Sequence, residues 1–257
     1  MSAALARPML LVDCSQRECV LGLAVPEGAG RTTVASRRFT PDMHAPREAF
    51  WDELRALTSG AGVGVEPSEL GSVAVAVGPG GFTGLRVSIA FAKALALARG
   101  ISVIPVPSAL VFAASDAARR DGGGGGDGGG GRDGPWVVAL AAKGQTAWVA
   151  VVGRTRRLDR EGEVLDAGRF EALAAEAAAQ GGVLLADEHL DPGFLERART
   201  SALGRAGLEV DVGAFAVISA EILRSGGAVH PAALLPIYAR EPEAVTNWRA
   251  RAAQRGG

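Results

Sequence analysis

Val73 to Gly100 reads VAVAVGPGGFTGLRVSIAFAKALALARG, and the rest of the chain is organised around it. Val73 to Val77 is a short, continuous, β-branched apolar run, the pattern of a strand buried on both faces. Gly78-Pro79-Gly80-Gly81-Phe82-Thr83-Gly84 follows as a loop. Its glycines allow positive φ and close backbone approach, and Pro79 stiffens its start. An Ala- and Leu-rich helix is predicted from about Leu85 to Arg99, stopped by Gly100. A strand, a glycine loop and a helix N-terminus in that order can hold an anion on free backbone N–H groups. The spacing matches neither common nucleotide loop. No Lys-Ser or Lys-Thr follows the last glycine, and Phe82 and Thr83 fill the positions before Gly84. A tight strand-to-helix connection and a ligand loop both stay open, with Gly78, Gly80, Gly81, Thr83 and Gly84 as the loop's candidate ligand residues.

The chain has 257 residues, 48% hydrophobic and 21% charged, enough for one large or two medium domains with a sizeable core. Its net charge of −1 gives no global pull toward nucleic acid. Cys14 and Cys19 do not suggest a disulfide framework and are expected to be reduced thiols in a cytoplasmic protein. The N-terminal MSAALARPMLLVDC does not read as a signal peptide, and no apolar stretch approaches the length that spans a bilayer.

Before the central stretch, Met9 to Asp13, Cys19 to Val25 and Thr32 to Phe39 read as three meandering strands. A helix follows from about Pro46 to Thr58, with Phe50, Leu54 and Leu57 on one face and Trp51 off it. After the stretch come a strand at Ser102 to Val106 and a helix at Ser108 to Arg119. The order β-β-β-α-β-α-β-α is ribonuclease-H-like, an antiparallel meander joined to a parallel segment. Asp121 to Gly134, DGGGGGDGGGGRDG, cannot bury apolar surface and reads as a flexible insertion. Strands at Trp136 to Ala141 and Thr146 to Val152 follow. A helix at about Gly168 to Gln180, a strand at Val183 to Ala186 and a helix near Ala214 to Ser225 complete what looks like an incomplete echo of the first half. The expected organisation is a lobe at 1–120, the insertion at 121–134, a reduced second lobe at 135–240 and a tail at 241–257. Two such lobes suggest the actin, Hsp70 and sugar-kinase group of α/β folds, called ASKHA.

In that group a strand-end Asp and the hairpin after it hold phosphate and metal, and Asp13-Cys14-Ser15 stands in that place. Asp13 and Ser15 are therefore candidates, against the plainer reading of a hydrogen-bonded strand terminus. The matching hairpin of the second lobe, Ala141-Ala142-Lys143-Gly144-Gln145, has no carboxylate for Mg²⁺ and no paired glycines for phosphate. His44, His189 and His230 lie far apart in sequence and form no ligand pattern, so neither metal nor cofactor is expected. Ser88, Ser108 and Thr83 sit near helix starts, where hydroxyls cap more often than they attack.

The central helix is apolar nearly all round, with Arg86 and Lys93 on a thin polar strip. Such a helix is either buried on every side or shared with a partner. Trp51 on the neighbouring helix is a residue type enriched among interface anchors. The candidate interface comprises Trp51, Leu85, Arg86, Ile89, Ala90, Lys93, Ala94 and Leu95, and an intramolecular core is the competing account.

VGPGGFTGLRVSIAFAKALA resembles the GPGSFTGxRxGxxxAxGLA signature of the TsaB, or YeaZ, family. MLLVDCSQ is similar to that family's first strand, PVPSALVFAA to its PVSSLEALA segment and LLPIYAR to its closing P-x-Y-L-R. His44 falls where the family has a His before its first helix, which adds His44 to the interface set. The resemblance covers most of the chain in order. It implies a non-catalytic subunit of the machinery that makes N6-threonylcarbamoyladenosine in tRNA beside the anticodon. It also implies pairing with a TsaD-like catalytic subunit through first-lobe helices, work beside a TsaE-like ATPase, and tRNA contact through the complex. A homodimer is expected when the chain is alone. The family's Asp-Ala-Arg and Glu in the second lobe are here Ala141, Lys143 and Thr146. Ala45, Gly81 and Ser88 also differ from the common family residues. An ATP-dependent kinase or ATPase of the same fold, using Asp13, is the alternative. A protease has no visible nucleophile–base set.

Overall fold

The structure is a computed structural model and describes residues 5–28, 31–41, 46–59, 64–122, 134–239 and 248. The first half folds as β1 (Met9–Asp13), β2 (Cys19–Pro26), β3 (Thr32–Phe39), α1 (Pro46–Ser59), β4 (Ser72–Ala76), α2 (Phe82–Arg99), β5 (Ser102–Val106) and α3 (Ser108–Gly122). The second half repeats that order as β6 (Trp136–Ala141), β7 (Thr146–Val152), β8 (Leu158–Asp166), α4 (Ala167–Ala179), β9 (Val183–Ala186), α5 (Pro192–Thr200), β10 (Gly204–Gly207) and α6 (Val212–Arg224).

Each half builds a five-stranded sheet, ordered β3-β2-β1-β4-β5 and β10-β9-β6-β7-β8. In both, the first three strands are antiparallel and the others run parallel to the first. The runs MLLVD and SVAVA are buried at every position, as central strands between two helical layers must be. The second half is therefore a full repeat, not a reduced one. Its extra pieces carry little apolar signal. β8 is a half-exposed edge strand of sequence LDREGEVLD, and β10 is GRAG. Trp148 covers β8 at Gly162, where a Cβ would lie 1.7 Å from its ring.

The layers do not follow the halves. α1 and α2 cover one face of the first sheet, and α4 and α5 cover the far face of the second. Between the sheets, α3 packs on β6 and β7, whereas α6 packs on β1, β2, β3 and β5. The two helices also pack on each other, and one apolar cluster runs from Met9, Leu11 and Ile104 through Phe112 and Phe215 to Val138 and Leu185. The close fit explains Gly22 on β2, whose absent Cβ would stand 2.4 Å from Val212. After α6 the chain stays with the first sheet. The Val229 N–H donates to the Val103 carbonyl, and the Ile237 N–H to that of Val77. Residues 212–239 thus belong by packing to the first lobe, so a boundary at 135–240 follows chain order and not packing.

Polar links lock this middle layer. Ser115 is buried and its Oγ donates to the Val111 carbonyl while accepting from the Asp211 N–H at 2.8 Å. Asp116, 3% exposed, accepts from Arg119, from Arg120 and, across to β6, from Trp136 Nε1 at 2.9 Å. Among the described residues no helix is long and apolar enough to cross a membrane. His44 and Ala45, most of the glycine-rich insertion and nearly all of the tail lie outside the described residues.

Candidate interface helix and glycine loop

The glycine loop closes on its own protein. Gly78 takes φ 100°, a conformation that disfavours side chains, and its peptide to Pro79 is cis. Gly80, Gly81 and Gly84 have no positive φ; two of them serve close approach instead. A Cβ on Gly80 would sit 2.0 Å from the Ser15 carbonyl oxygen, and one on Gly84 2.0 Å from that of Cys14. The Gly81 N–H donates to the Ser15 carbonyl at 2.7 Å, and the Ser108 N–H to the Gly78 carbonyl at 2.9 Å. The backbone that would cradle a phosphate is thus seated against the β1–β2 turn. α2 starts at Phe82, earlier than the expected Leu85, so Thr83 and Gly84 are first-turn residues and Thr83 is exposed. Gly100 ends the helix in the left-handed conformation as expected, its N–H bonded to the Ala96 carbonyl.

Asp13 ends β1 at 2% exposure. Its Oδ1 accepts from the Ser15 N–H at 2.7 Å. Oδ2, Ser15 Oγ and Ser108 Oγ are buried without a hydrogen-bond partner among the described residues. Burial raises the Asp13 carboxyl above its ordinary range, against the opposing pull of the Ser15 backbone N–H. Cys14 and Cys19 continue the β1–β2 register and are both buried free thiols. A hydrogen bond with Cys19, then burial, pushes the Cys14 thiol up, so it stays protonated. In the second half, Ala141 ends β6 where Asp13 ends β1. The acid there comes from the end of β9: Asp187 accepts from the Ala141 and His189 backbone N–H groups. It is an internal tie of the turn. Among the described residues no three His, Cys, Asp or Glu side chains gather as metal ligands.

The interface candidates divide. Leu85 and Ile89 are buried, at 0% and 5% exposure, Leu85 against Gly78 and Ile89 in the apolar cluster of the first sheet. They belong to the core, because in an all-round apolar helix the larger side chains fill the space above the strands. Ala90 and Ala94 are exposed, Lys93 and Leu95 half-buried. With Val87 and Leu97, 47% and 65% exposed, Ala90 and Ala94 form an outward stripe at positions 87, 90, 94 and 97, the 3–4 spacing of one helix face. Trp51, 47% exposed, stands beside it and meets Phe91 edge-on, with ring centroids 5.6 Å apart. Phe50 holds both from beneath, at 5.7 Å from Trp51 and 5.0 Å from Phe91. Arg86 is exposed but engaged with its own chain. Its guanidinium lies 3.7 Å from the Phe82 ring centroid, and its Nε donates to the Tyr238 hydroxyl. Val87, Phe91 and Leu97 share this outer surface and were not among the residues expected there. The signal for them is the helical period, at three and seven residues from Ala94.

Two ribonuclease-H-like lobes with exchanged middle helices define a two-lobed α/β protein of the actin, Hsp70 and sugar-kinase type. Solved structures agree on the fold. YeaZ from Pseudomonas aeruginosa superposes with a TM-score of 0.68 at 19% identity, over 90% of this chain and 100% of that one. A second structure from P. aeruginosa, an uncharacterized protein with similarity to peptidase YEAZ, gives 0.63 at 20% identity over 91% and 100%. Among curated proteins none matches. The family model of TsaD, tRNA N6-adenosine threonylcarbamoyltransferase, matches residues 55–187, just over half of the chain, and the chain belongs to that family. Its family ties it to tRNA modification.

Proposed function

We propose that this protein is the non-catalytic partner of a TsaD-like threonylcarbamoyltransferase, and that it docks through the outer face of α1 and α2. The observation that carries this reading is the exposed stripe Val87, Ala90, Ala94 and Leu97 beside Trp51. Small alanines let a second helix approach closely, and a half-exposed Trp on an aromatic base is a preorganised anchor. The glycine loop supports the reading from within. By seating α2 on the β1–β2 turn, it sets the angle at which that face is presented. The catalytic subunit would carry the transfer chemistry, a TsaE-like ATPase would act on the pair, and tRNA would be held by the complex. Two copies of this chain would pair through the same face when the partner is missing.

Co-purification with the cognate TsaD-like subunit, followed by tRNA modification with and without this chain, tests the proposal. A stable complex and modification that depends on both chains are expected. Modification by this chain alone, or no complex with the cognate subunit, would overturn it. The kinase or ATPase alternative has Asp13 as its motivation, but that carboxyl is buried beneath the loop. Nucleotide turnover abolished by Asp13→Ala would revive it.

A further inference from the structure

A cavity of about 600 Å³ lies between the start of α3, the C-terminal half of α6 and the β7–β8 turn. That size is in the middle of the range for small-molecule sites. Its inner wall is apolar. Leu110 and Ile218 are buried there, and Leu158 and Ile222 are half-buried. Its rim is charged, with Arg156, Arg157 and Arg224 against a single carboxylate, Glu221. Among the described residues none of these three guanidiniums has a hydrogen bond or an ion pair. Neighbouring arginines are engaged, Arg154 of the same turn with the Gln180 carbonyl and Arg160 on β8 with Glu163. An excess of positive charge at one cavity is notable in a chain whose net charge is −1.

The turn itself gives a second observation. The Gly153 N–H donates to the Arg157 carbonyl, and the Arg156 N–H to the Gly153 carbonyl. Arg156 has φ 57°, a left-handed conformation where hairpins of this length ordinarily use Gly or Asn. The chain keeps an arginine at a strained position, and that arginine lines the cavity.

We propose that this cavity binds a nucleotide through its phosphate and one ring face. The unpaired guanidiniums take the phosphate in charge-assisted, forked hydrogen bonds. The Leu and Ile wall takes the base, and Glu221 accepts from an amino or hydroxyl group. A free mononucleotide and an unstacked nucleotide of an RNA strand offer this same chemistry. The site needs only this chain, so it stands or falls independently of the partner reading.

The test is calorimetric titration of the full chain at low salt with adenosine monophosphate, inorganic phosphate and a short single-stranded oligoadenylate. The double variant Arg157→Glu/Arg224→Glu is run beside it. Both side chains are exposed, and the thermal midpoint verifies folding. Adenosine monophosphate should bind saturably and at least ~10-fold more tightly than phosphate, and the double variant should lose at least ~10-fold. Ile222→Asn should weaken the nucleotide and leave phosphate unchanged. If only the oligoadenylate binds, and the double variant loses it, the source is RNA and the site stands. Absence of saturable binding by all three probes would overturn the proposal. So would equal affinity for phosphate and nucleotide, or binding indifferent to the double variant.

Discussion

Asp13 shows how one residue carries a cost that neutral pH makes visible. Its folded-state pKa is raised by burial, so the folded chain binds the proton more tightly than the unfolded chain does. This contribution to stability is present below the unfolded value of about 4 and is lost as pH rises through the folded value. Asp13→Asn keeps the acceptor for the Ser15 N–H and removes the charge. Its thermal midpoint should exceed that of the parent at pH 7, and the gap should close as pH falls toward about 4. A gap that does not change with pH would exclude this account. The glycines divide at the same scale. Gly80→Ala pushes a methyl into the Ser15 carbonyl and should cost about 3 kcal/mol in denaturant unfolding. At Gly81 the nearest neighbour of a Cβ is 3.8 Å away, and Gly81→Ala should cost less than about 0.5 kcal/mol. Both uses of glycine in this loop are legible in the sequence. Which glycine serves which is not, because close approach depends on Cys14 and Ser15, more than sixty residues away.

At the level of the element, α2 separates stability from docking. Ala94→Asp and Leu97→Asp alter exposed positions of the stripe and should leave the thermal midpoint nearly unchanged. Each should weaken binding to the cognate catalytic subunit by at least ~10-fold, about 1.4 kcal/mol, as read by a pull-down or titration. Leu85→Asp is no probe of docking, since it places a charge in the core under the helix. Strands with strong apolar runs were legible to the residue: Met9–Asp13, Ser102–Val106, Trp136–Ala141 and Val183–Ala186. LDREGEVLD and GRAG were not, since edge strands bury too little to leave a pattern. α5 also escaped, although Asp191 capping Pro192–Gly193 is a readable helix start. Of the two accounts open for α2, Leu85 and Ile89 follow the core one, since a helix with only a thin polar strip does not reveal which side is buried.

For the whole molecule, the exchange of α3 and α6 could not be read from sequence at all. Amphipathicity tells which face of a helix is covered, not which sheet covers it. Asp116 is the polar joint of that exchange, linking α3 to β6 through Trp136. Asp116→Ala strands the buried indole N–H and releases two arginines. It should cost about 3 kcal/mol, and intrinsic tryptophan fluorescence should report the change around Trp136. The same exchange governs the order in which the protein can finish folding as it is made. The inner face of the first sheet, formed by residue 106, is covered by a helix that ends only at Arg224. During synthesis that face waits, apolar and unroofed, until the second sheet has been translated. Nascent chains halted at the glycine-rich insertion should therefore remain protease-sensitive and chaperone-bound, and chains extended past Arg224 should not.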